Sequence, residues 1–386
     1  MKYPCLVREF IHDRLYNSSK GYFMKETHQL GQISSPLRYH DISGLNSYLE
    51  VLGSSYPEFA FLTPVEIFQP WYGHTIGNYC LEVAKSQPLK FIEIGSGTGT
   101  GALSILDFYK NHHLKTYTSL QYYLCEISPV LAQISQKRLK EAHPELVKKG
   151  QVQVVNSGVM DWCQSLKQEV FIVGLEVLDN MPHDKVYKED SEWKYQTLVT
   201  EDLQEEKQPI TDPLIQECLG IYQKMPPKTD IEKEAEYQEG IIYNLMKFFK
   251  STKRSNVMYL PTGTLMFMKH LQNWIEKPHY ILADFDYLPN TLPGKYAPIV
   301  SQKGKESHEK KDYSTYLVNT GEADIFFPTD FKLLQQIHRH TTGRPAMAMK
   351  AHKFMSKYAK KDWTQTKTGY RPLFDDFRNT SFLTTE

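Results

Sequence analysis

The chain has 386 residues, and its 45 basic and 45 acidic side chains leave no formal net charge at pH 7. This balance gives no reason to propose nucleic acid or an acidic membrane surface as a partner. No apolar run approaches the roughly 18 residues that cross a bilayer. The five cysteines are scattered without a CxxC pair or zinc-ligand spacing, which predicts free thiols, a reducing compartment and no metal site.

The first part of the chain, 1–86, is predicted to be an N-terminal helical and substrate-loop segment. Apolar residues recur at helical spacing within 4–25, and residues 26–56 are polar and irregular. A further helix then follows a loop, with Thr63 as its N-cap and Pro64 in its first turn. No secretory signal or Arg-rich, acid-poor transit peptide is visible in the opening residues.

Strands and helices alternate in the next region, 87–200. Amphipathic stretches separate apolar stretches that predict strands at 90–95, 120–128, 152–158 and 169–182. This order is typical of a parallel sheet with helices on both faces. The predicted fold class is therefore α/β, with this region as the cofactor-binding, Rossmann-like core. A β-hairpin is predicted at 186–202.

Two further regions complete the chain. Residues 201–256 are charged and poor in β-branched residues, which predicts an inserted helical region. Residues 257–386 are assigned to the C-terminal part of the core sheet, with a loop and helices. Their predicted order is a buried strand, an exposed loop, a strand-loop-helix unit and a tail of helix plus coil, the first three at 279–288, 290–314 and 322–340.

The stretch KFIEIGSGTGTGALSIL, 90–106, places glycines between a strand and a helix with the spacing Glu93-x-Gly95-x-Gly97-x-Gly99. Glycines at this position let the backbone approach a ligand at the N-terminus of the helix. The spacing is not the G-x-G-x-x-G of NAD-dependent oxidoreductases, and a Gly-Lys-Ser/Thr phosphate loop is absent. From the glycines alone, a flexible turn stays open as an alternative.

Acidic residues follow the next two strands. Glu126 ends the second strand, where an acid accepts hydrogen bonds from ribose hydroxyls, and no arginine follows that would bind a phosphate. A nucleoside without phosphates that carries an amino-acid group satisfies both features, which predicts S-adenosylmethionine as the cofactor. Asp161, after the third strand, is either an acceptor for the adenine amine or an exposed loop acid beside Trp162.

Polar residues also crowd the end of the fourth strand, where Glu176, Asp179 and Asn180 precede Pro182. Carboxylates and an amide at this edge of a parallel sheet can hold a cationic or amine substrate and orient its lone pair. The alternative is a helix cap within a satisfied loop. We favour the functional interpretation because ligands bind at this edge of such sheets.

Several motifs occur in the order VREFIHDRLYNSSKGYF (7–23), FLTPVEIFQPW (61–71), EIGSGTGTG, CEISP (125–129) and LEVLDNMPHDKV (175–186). Through them most of the chain resembles the MidA-like family of S-adenosylmethionine-dependent methyltransferases. The resemblance implies a class I methyltransferase fold. It also implies methyl transfer to an arginine of a protein partner, a respiratory complex I subunit during its assembly in the mitochondrial matrix.

Together with the residue patterns, the resemblance implies roles for individual side chains. Glu176 and Asp179, with Glu66 helping from the preceding loop, would be the catalytic residues that hold the guanidinium group. The cofactor would be bound by Glu93, Gly95, Gly97, Gly99, Glu126, Asp161 and Thr63. The family's asparagine before the motif glutamate is Leu175 here. This difference keeps open a second interpretation, a catalytically degenerate accessory or scaffold subunit of a mitochondrial complex.

Overall fold

The computed structural model describes residues 2–25, 31–33, 35–55, 63–85, 88–226, 256–303 and 310–385. Its strands are β1 (Cys5–Leu6), β2 (Lys90–Ile94), β3 (Gln121–Cys125), β4 (Val152–Val155), β5 (Leu166–Leu175), β6 (Asp184–Glu189), β7 (Glu192–Val199), β8 (Glu205–Pro209), β9 (Val257–Leu260), β10 (Ile275–Phe285), β11 (Ile299–Lys303), β12 (Lys310–Asp312), β13 (Asp324–Phe326), β14 (Met347–Lys350) and β15 (Thr380–Thr384). Its helices are α1 (Val7–Tyr16), α2 (Leu45–Ser55), α3 (Pro64–Ile67), α4 (Trp71–Val83), α5 (Thr100–His112), α6 (Leu114–Ser119), α7 (Pro129–Ala142), α8 (Pro144–Lys148), α9 (Pro213–Gln223), α10 (Thr262–Trp274), α11 (Phe331–Thr342), α12 (Ala351–Tyr358) and α13 (Pro372–Asp375). Within these ranges, no helix has the length and hydrophobicity of a membrane span.

A seven-stranded sheet forms the centre of the described structure, with the strand order β14-β15-β10-β5-β2-β3-β4. Neighbours from β10 to β4 run parallel, whereas β15 pairs antiparallel with β10 and β14. The chain moves outward from β2 through β3 and β4 and then returns to the other side of β2 as β5. The strand order therefore reverses beside β2, and ligands bind at the carboxyl ends of parallel strands at such a point. The predicted parallel α/β core is confirmed.

Alternate side chains of the central strands pack into two separate apolar cores. Phe91 and Phe171 belong to one core, and their neighbours Ile92 and Ile172 belong to the other. This period of two is expected for strands that are buried on both faces. Helices α4, α5 and α12 contribute to the first core, and α9, α10 and α11 contribute to the second. The sheet therefore carries helices on both faces.

Two smaller antiparallel sheets lie outside the central one. One has the order β1-β7-β6-β9, with β8 added to β7, and the other has the order β12-β11-β13. Strands β6 and β7 pair from Val186 with Gln196 to Glu189 with Glu192, so the predicted hairpin is confirmed. Side chains from α1, β13 and β9 share a third apolar core, which joins both small sheets to the N-terminal helix.

Helix α1 is fixed near both of its ends by arginine side chains. Near its start, Arg8 donates to Asp184 Oδ2 at 2.7 Å and to the two oxygens of Asp212 at 2.9 and 2.7 Å. Near its end, the buried Arg14 donates to the carbonyl oxygen of Val318 at 2.7 Å. Bidentate arginine–carboxylate pairs are geometrically specific as well as strong. The position of α1 is therefore set by contacts with three distant parts of the chain.

Three predictions of irregular structure are wrong. Helix α2 occupies part of the segment predicted to be irregular, β11 and β12 lie in the predicted exposed loop, and β15 lies in the tail predicted as coil. Helix α2 packs Tyr48, Val51 and Leu52 on the first core but leaves Leu45 and Leu49 exposed, so its apolar residues are not confined to one face. Strand β15 is buried along its whole length between two other strands, and no local pattern reveals such a distant pairing.

The predicted helical insertion, 201–256, differs from the structure in its described part. It begins with strand β8, whose charged residues pair with β7, and continues with helix α9. Charged side chains are common on edge strands because they discourage pairing with other chains. The rest of the insertion, 227–255, lies outside the described residues, as do 304–309 of the predicted loop and the first two residues of the motif FLTPVEIFQPW.

Candidate functional site

The glycine-rich loop connects β2 to α5 at the carboxyl edge of the central sheet. Gly95, Gly97 and Gly99 have φ angles of 61°, 55° and 81°, a backbone region that favours glycine. A Cβ on Gly95 would lie 3.0 Å from Cγ2 of Val177, which follows β5. The loop therefore needs its glycines, and it lies directly against the segment after β5. The predicted glycine loop and the predicted polar strand end are adjacent.

Glu126 supports this loop from the end of β3. Its Oε2 accepts the N–H of Gly97 at 2.7 Å and its Oε1 accepts the N–H of Ser128 at 2.8 Å. Burial raises the pKa of the Glu126 carboxyl to about 7, and the bonds from backbone N–H groups act in the opposite direction. A carboxylate has about four lone-pair positions. Because the N–H of Ile127 also acts on the carboxylate, about one position remains for a hydroxyl donor.

Glu93 lies beneath the loop, on β2. Its Oε2 accepts the hydroxyl of Tyr122 at 2.8 Å, and its Oε1 would lie only 2.6 Å from a Cβ on Gly101 in the first turn of α5. Burial raises the pKa of Glu93 to about 7, while the bond from Tyr122 acts to lower it. Glu93 therefore packs against the N-terminus of α5, where a negative charge is favoured by the helix dipole.

The loop before α3 is joined to the glycine loop by hydroxyl groups. Thr63 accepts the N–H of Glu66 at 3.4 Å and caps α3 as predicted. Glu66 Oε1 accepts the hydroxyls of Thr98, at 2.8 Å, and Thr100, and Arg138 donates to both threonine side chains from the other side. In the described part of the chain, Glu66 thus bonds to the cofactor loop and not to the carboxylates after β5.

Asp161 lies in a short 3₁₀ turn after β4. Its Oδ2 accepts the N–H of Gly158 at 3.1 Å, and its side chain is exposed. Trp162 is buried, and its indole N–H donates to the carbonyl oxygen of Gln164 at 2.9 Å. The Asp161 carboxylate accepts a hydrogen bond within its own turn. Because the side chain is exposed, its other lone pairs are available to a ligand. Both interpretations of Asp161, turn closure and adenine binding, are compatible with this geometry.

Four carboxyl groups gather at the mouth of the sheet. We name Glu176, Asp179, Asp284 and Asp324 the acid cluster. Asp284 Oδ2 accepts the backbone N–H of Asp179 at 3.0 Å, and Asp324 Oδ1 accepts the side-chain amide of Asn180 at 2.8 Å. Among the described residues, the buried Oδ1 of Asp179 finds no hydrogen-bond partner. Unpaired buried carboxylate oxygens are rare and costly, so this atom marks a place for a ligand donor.

Electrostatics in the acid cluster disfavour four simultaneous negative charges. Burial raises the pKa of Asp284 and of Asp324 to about 7. Burial and then the charge of Asp284 raise the pKa of both Glu176 and Asp179 well above the ordinary range. Like charges at one site push carboxyl pKa values upward. A bound cation would favour the ionised form of these carboxyl groups. The acid cluster is therefore suited to binding a cationic group.

Glu176 also stands out by its backbone. Its φ angle is 54°, in the left-handed region that non-glycine residues rarely adopt. Its N–H donates to the carbonyl oxygen of Ala283 at 2.8 Å, which holds the residue against β10. A strained backbone of this kind costs on the order of 1–3 kcal/mol and is found most often at functional sites. The predicted acid therefore lies at a sharp turn out of β5.

Sequence reasoning missed the members of the site that come from distant parts of the chain. Asp284 is the next-to-last residue of β10, and Asp324 begins β13. The buried Tyr72 lies on α4, and burial and then the charges of Glu176 and Asp284 raise the pKa of its hydroxyl. An acid inside an otherwise apolar strand, as in ILADF, is a signal for a buried functional carboxyl because isolated buried charges are costly. That signal was present for Asp284.

The acid cluster gives a direct prediction for stability. A carboxyl with a raised pKa in the folded state stabilises the protein below its unfolded pKa, near 4, and this contribution is lost as the pH rises through about 7. We expect Asp324→Asn to be more stable than the wild type, by an amount that grows by up to about 1.4 kcal/mol per pH unit between pH 5 and 7 and then levels. Urea unfolding across this range measures the difference.

The matched control is Asp362→Asn, which removes an exposed acid. Its free energy of unfolding should run parallel to that of the wild type at every pH. A constant difference between Asp324→Asn and the wild type from pH 5 to 8 would contradict the raised pKa of Asp324.

The fold and this site define a methyltransferase that uses S-adenosylmethionine. A family model described as "Putative S-adenosyl-L-methionine-dependent methyltransferase" matches residues 75–349, and the chain belongs to this family. A relative in Schizosaccharomyces pombe, "Protein arginine methyltransferase NDUFAF7 homolog, mitochondrial", is 21% identical over 379 residues, which is 92% of this chain and 79% of the relative.

Solved structures share the fold. A Burkholderia thailandensis protein crystallised with S-adenosyl-homocysteine has a TM-score of 0.60 and 13% identity, over 99% of this chain and 88% of that one. A native crystal structure of a protein from the same organism and superfamily has a TM-score of 0.57 and 13% identity, over 99% and 87% of the two chains. These findings confirm the predicted methyltransferase fold, the MidA-like family and the cofactor.

The residues around the glycine loop fit S-adenosylmethionine. Cβ atoms on Gly95 and Gly99 would come within 3.0 Å of Val177 and Ser135, so the glycines let the loop pack closely on its neighbours. Glu126 keeps a lone-pair position for a hydroxyl donor. In the described part of the chain, the buried hydroxyl of Ser96 in the loop makes no hydrogen bond, as expected for a group that faces a polar ligand. The acid cluster lies beside this loop, because Val177, between Glu176 and Asp179, packs against Gly95.

Proposed function

We propose that the protein is an arginine N-methyltransferase that acts on a protein partner, a subunit of respiratory complex I during its assembly in the mitochondrial matrix. The observation that carries this proposal is the buried Oδ1 of Asp179, which has no hydrogen-bond partner among the described residues and lies with three other carboxyl groups beside the cofactor loop. The name of the Schizosaccharomyces pombe relative supports the arginine substrate and the mitochondrial location.

In this proposal, the glycine loop and neighbouring acids hold the cofactor. Gly95, Gly97 and Gly99, above Glu93, bound the methionine part, and Glu126 accepts the ribose hydroxyls. Asp161 accepts the adenine amine, and Thr63 keeps the preceding loop in place through its cap of α3. When bound, S-adenosylmethionine supplies an electrophilic methyl group on sulfur. The hydrogen bonds of Glu66 place this residue with the cofactor loop, so we assign it to holding that loop for catalysis.

The acid cluster would hold and orient the acceptor. A guanidinium group is always protonated in water, so its nitrogen lone pair must be localised before it can attack a methyl group. Asp179 and Glu176 would each accept an N–H of the guanidinium and fix its nitrogen in line with the methyl group. A proton leaves the guanidinium on transfer, and a carboxyl whose pKa is raised is able to retain it.

A labelling experiment tests the proposed function. The purified protein is incubated with methyl-tritiated S-adenosylmethionine and a mitochondrial extract from cells depleted of this protein, and the products are hydrolysed to amino acids. We expect the label in methylarginine. Label in methyllysine or at an amino terminus would contradict the arginine assignment. The absence of any transfer, with S-adenosyl-homocysteine still bound, would favour the scaffold interpretation that Leu175 suggests.

A further inference from the structure

Tyr16 is the last residue of α1, and it reaches the site from a part of the chain far from the central strands. Its hydroxyl donates to the carbonyl oxygen of Asn180 at 3.2 Å. The side-chain amide of Asn180 in turn donates to Asp324 Oδ1 at 2.8 Å. The residue before Asn180 is Asp179, whose Oδ1 is buried without a partner in the described structure. The tyrosine hydroxyl therefore lies on the segment that carries Glu176 and Asp179 of the acid cluster.

A second residue of α1, His12, is affected by the charge of a residue in the proposed cofactor site. The charge of Asp161 acts on His12, and the charges of Asp179, Asp324 and Glu126 act on the hydroxyl of Tyr16. The two residues are four positions apart, about 6 Å along a helix. The C-terminal half of α1 is therefore within electrostatic reach of acids from both the proposed cofactor site and the acid cluster.

The hydroxyl of Tyr16 stays a neutral donor and acceptor. Burial and then the nearby carboxylates raise its pKa far above the ordinary range for tyrosine. A neutral hydroxyl has one proton to donate and two lone pairs that can accept. The proton is used on the carbonyl of Asn180, so the oxygen can accept an N–H from a ligand.

The hydroxyl is not needed to hold the helix. Arg8 and Arg14 fix α1 through hydrogen bonds of 2.7 to 2.9 Å, and Phe10, Ile11 and Leu15 are fully buried on its inner face. The ring of Tyr16 stacks against Phe23 with centroids 5.5 Å apart, and this contact survives the loss of the oxygen. The bond to Asn180, at 3.2 Å, is longer than the usual O–H···O range of about 2.5–3.0 Å, so it contributes little to holding the helix.

We propose that Tyr16 binds the methyl acceptor: its hydroxyl oxygen accepts an N–H of the acceptor side chain and orients that nitrogen between the acid cluster and the cofactor. This inference rests on the proposed function, and it adds a residue from the N-terminal helix to the site. The carboxylates bind the charge of the acceptor, and the neutral hydroxyl selects which nitrogen faces the methyl group.

The variant Tyr16→Phe tests this role because it removes one oxygen and keeps the ring. The rate of methylarginine formation is measured with saturating cofactor over a dilution series of the mitochondrial extract. We expect the initial slope, which reports kcat/KM for the acceptor, to fall about ten-fold. The dissociation constant of S-adenosyl-homocysteine, from calorimetry, should stay within about two-fold of the wild-type value because the cofactor contacts are kept.

The matched control is Tyr195→Phe, which removes a hydroxyl that donates to Glu189 Oε2 at 2.9 Å on the exposed hairpin. It should behave as the wild type in both measurements. A slope for Tyr16→Phe within two-fold of the wild-type slope, or a loss of S-adenosyl-homocysteine affinity equal to the loss of activity, would overturn the inference. Absence of methylarginine with the wild-type protein would instead contradict the proposed function.

Discussion

Replacing Asp179 with asparagine is expected to reduce methyl transfer by about 100- to 1,000-fold without weakening cofactor binding. The amide has nearly the same shape but cannot hold a cation or retain the proton that the acceptor loses. The backbone N–H of Asp179, which donates to Asp284, is unchanged by the substitution. The measurement is the initial rate of methylarginine formation, together with calorimetric titration of S-adenosyl-homocysteine.

The same variant should be more stable than the wild type at pH 8. Burial and the charges of Asp284, Asp324 and Glu176 disfavour the ionised form of Asp179, so a neutral amide relieves that repulsion. Activity and stability would then change in opposite directions, which is typical of a functional site. The variant Asp362→Asn serves again as the control for removal of one acid. Full activity in Asp179→Asn would exclude Asp179 from the acceptor site.

Replacing Glu126 with glutamine is expected to raise the dissociation constant of S-adenosyl-homocysteine by about 10- to 100-fold. Hydrogen bonds from ribose hydroxyls to a carboxylate are charge-assisted, and an amide offers one neutral acceptor in its place. That acceptor is also required by the N–H groups of Gly97 and Ser128, which now share both oxygens of Glu126. Calorimetry with the purified variant measures the change.

The control for this prediction is Glu141→Gln, an equivalent change at an exposed position of α7, the helix that follows Glu126. Its affinity for S-adenosyl-homocysteine should match that of the wild type. Thermal unfolding shows whether Glu126→Gln remains folded. A folded Glu126→Gln protein that binds S-adenosyl-homocysteine as tightly as the wild type would remove Glu126 from the ribose site.

The proposed cofactor half of the site can be argued from the sequence because its residues are mostly contiguous. Between Glu93 and Gly99, the strand end, the glycines and the start of α5 follow one another along the chain. Each residue type in this stretch has a physical reason. Positive φ angles favour glycine, and a helix N-terminus attracts an anion or a polar group. Glu126 follows the next strand by the same logic. Local chemistry and global fold agree here.

The acceptor half is only partly predictable because the fold assembles it from separate segments. Glu176 and Asp179 follow one strand and could be inferred from it. Asp284, Asp324 and Tyr16 come from β10, β13 and α1, and they meet these residues only after the sheets and the N-terminal helix have packed. The residue pattern of one segment does not indicate which distant segment packs against it.

Glu66 shows that a sequence motif does not determine which residues a side chain contacts. Its motif suggested a catalytic partner for Glu176 and Asp179, but its hydrogen bonds in the structure go to Thr98 and Thr100 of the glycine loop. The structure places Glu66 against the glycine loop, and its role in a functional site stays a prediction. Only the three-dimensional arrangement shows that its contacts lie on the cofactor side.

The most direct measurement is a crystal structure of the protein grown with S-adenosyl-homocysteine. We predict that the ribose hydroxyls lie within hydrogen-bond distance of Glu126, that the amino-acid end lies along Gly95 and Gly97, and that the sulfur faces Asp179. A ligand bound elsewhere, or a glycine loop covered by the protein's own side chains, would contradict the account.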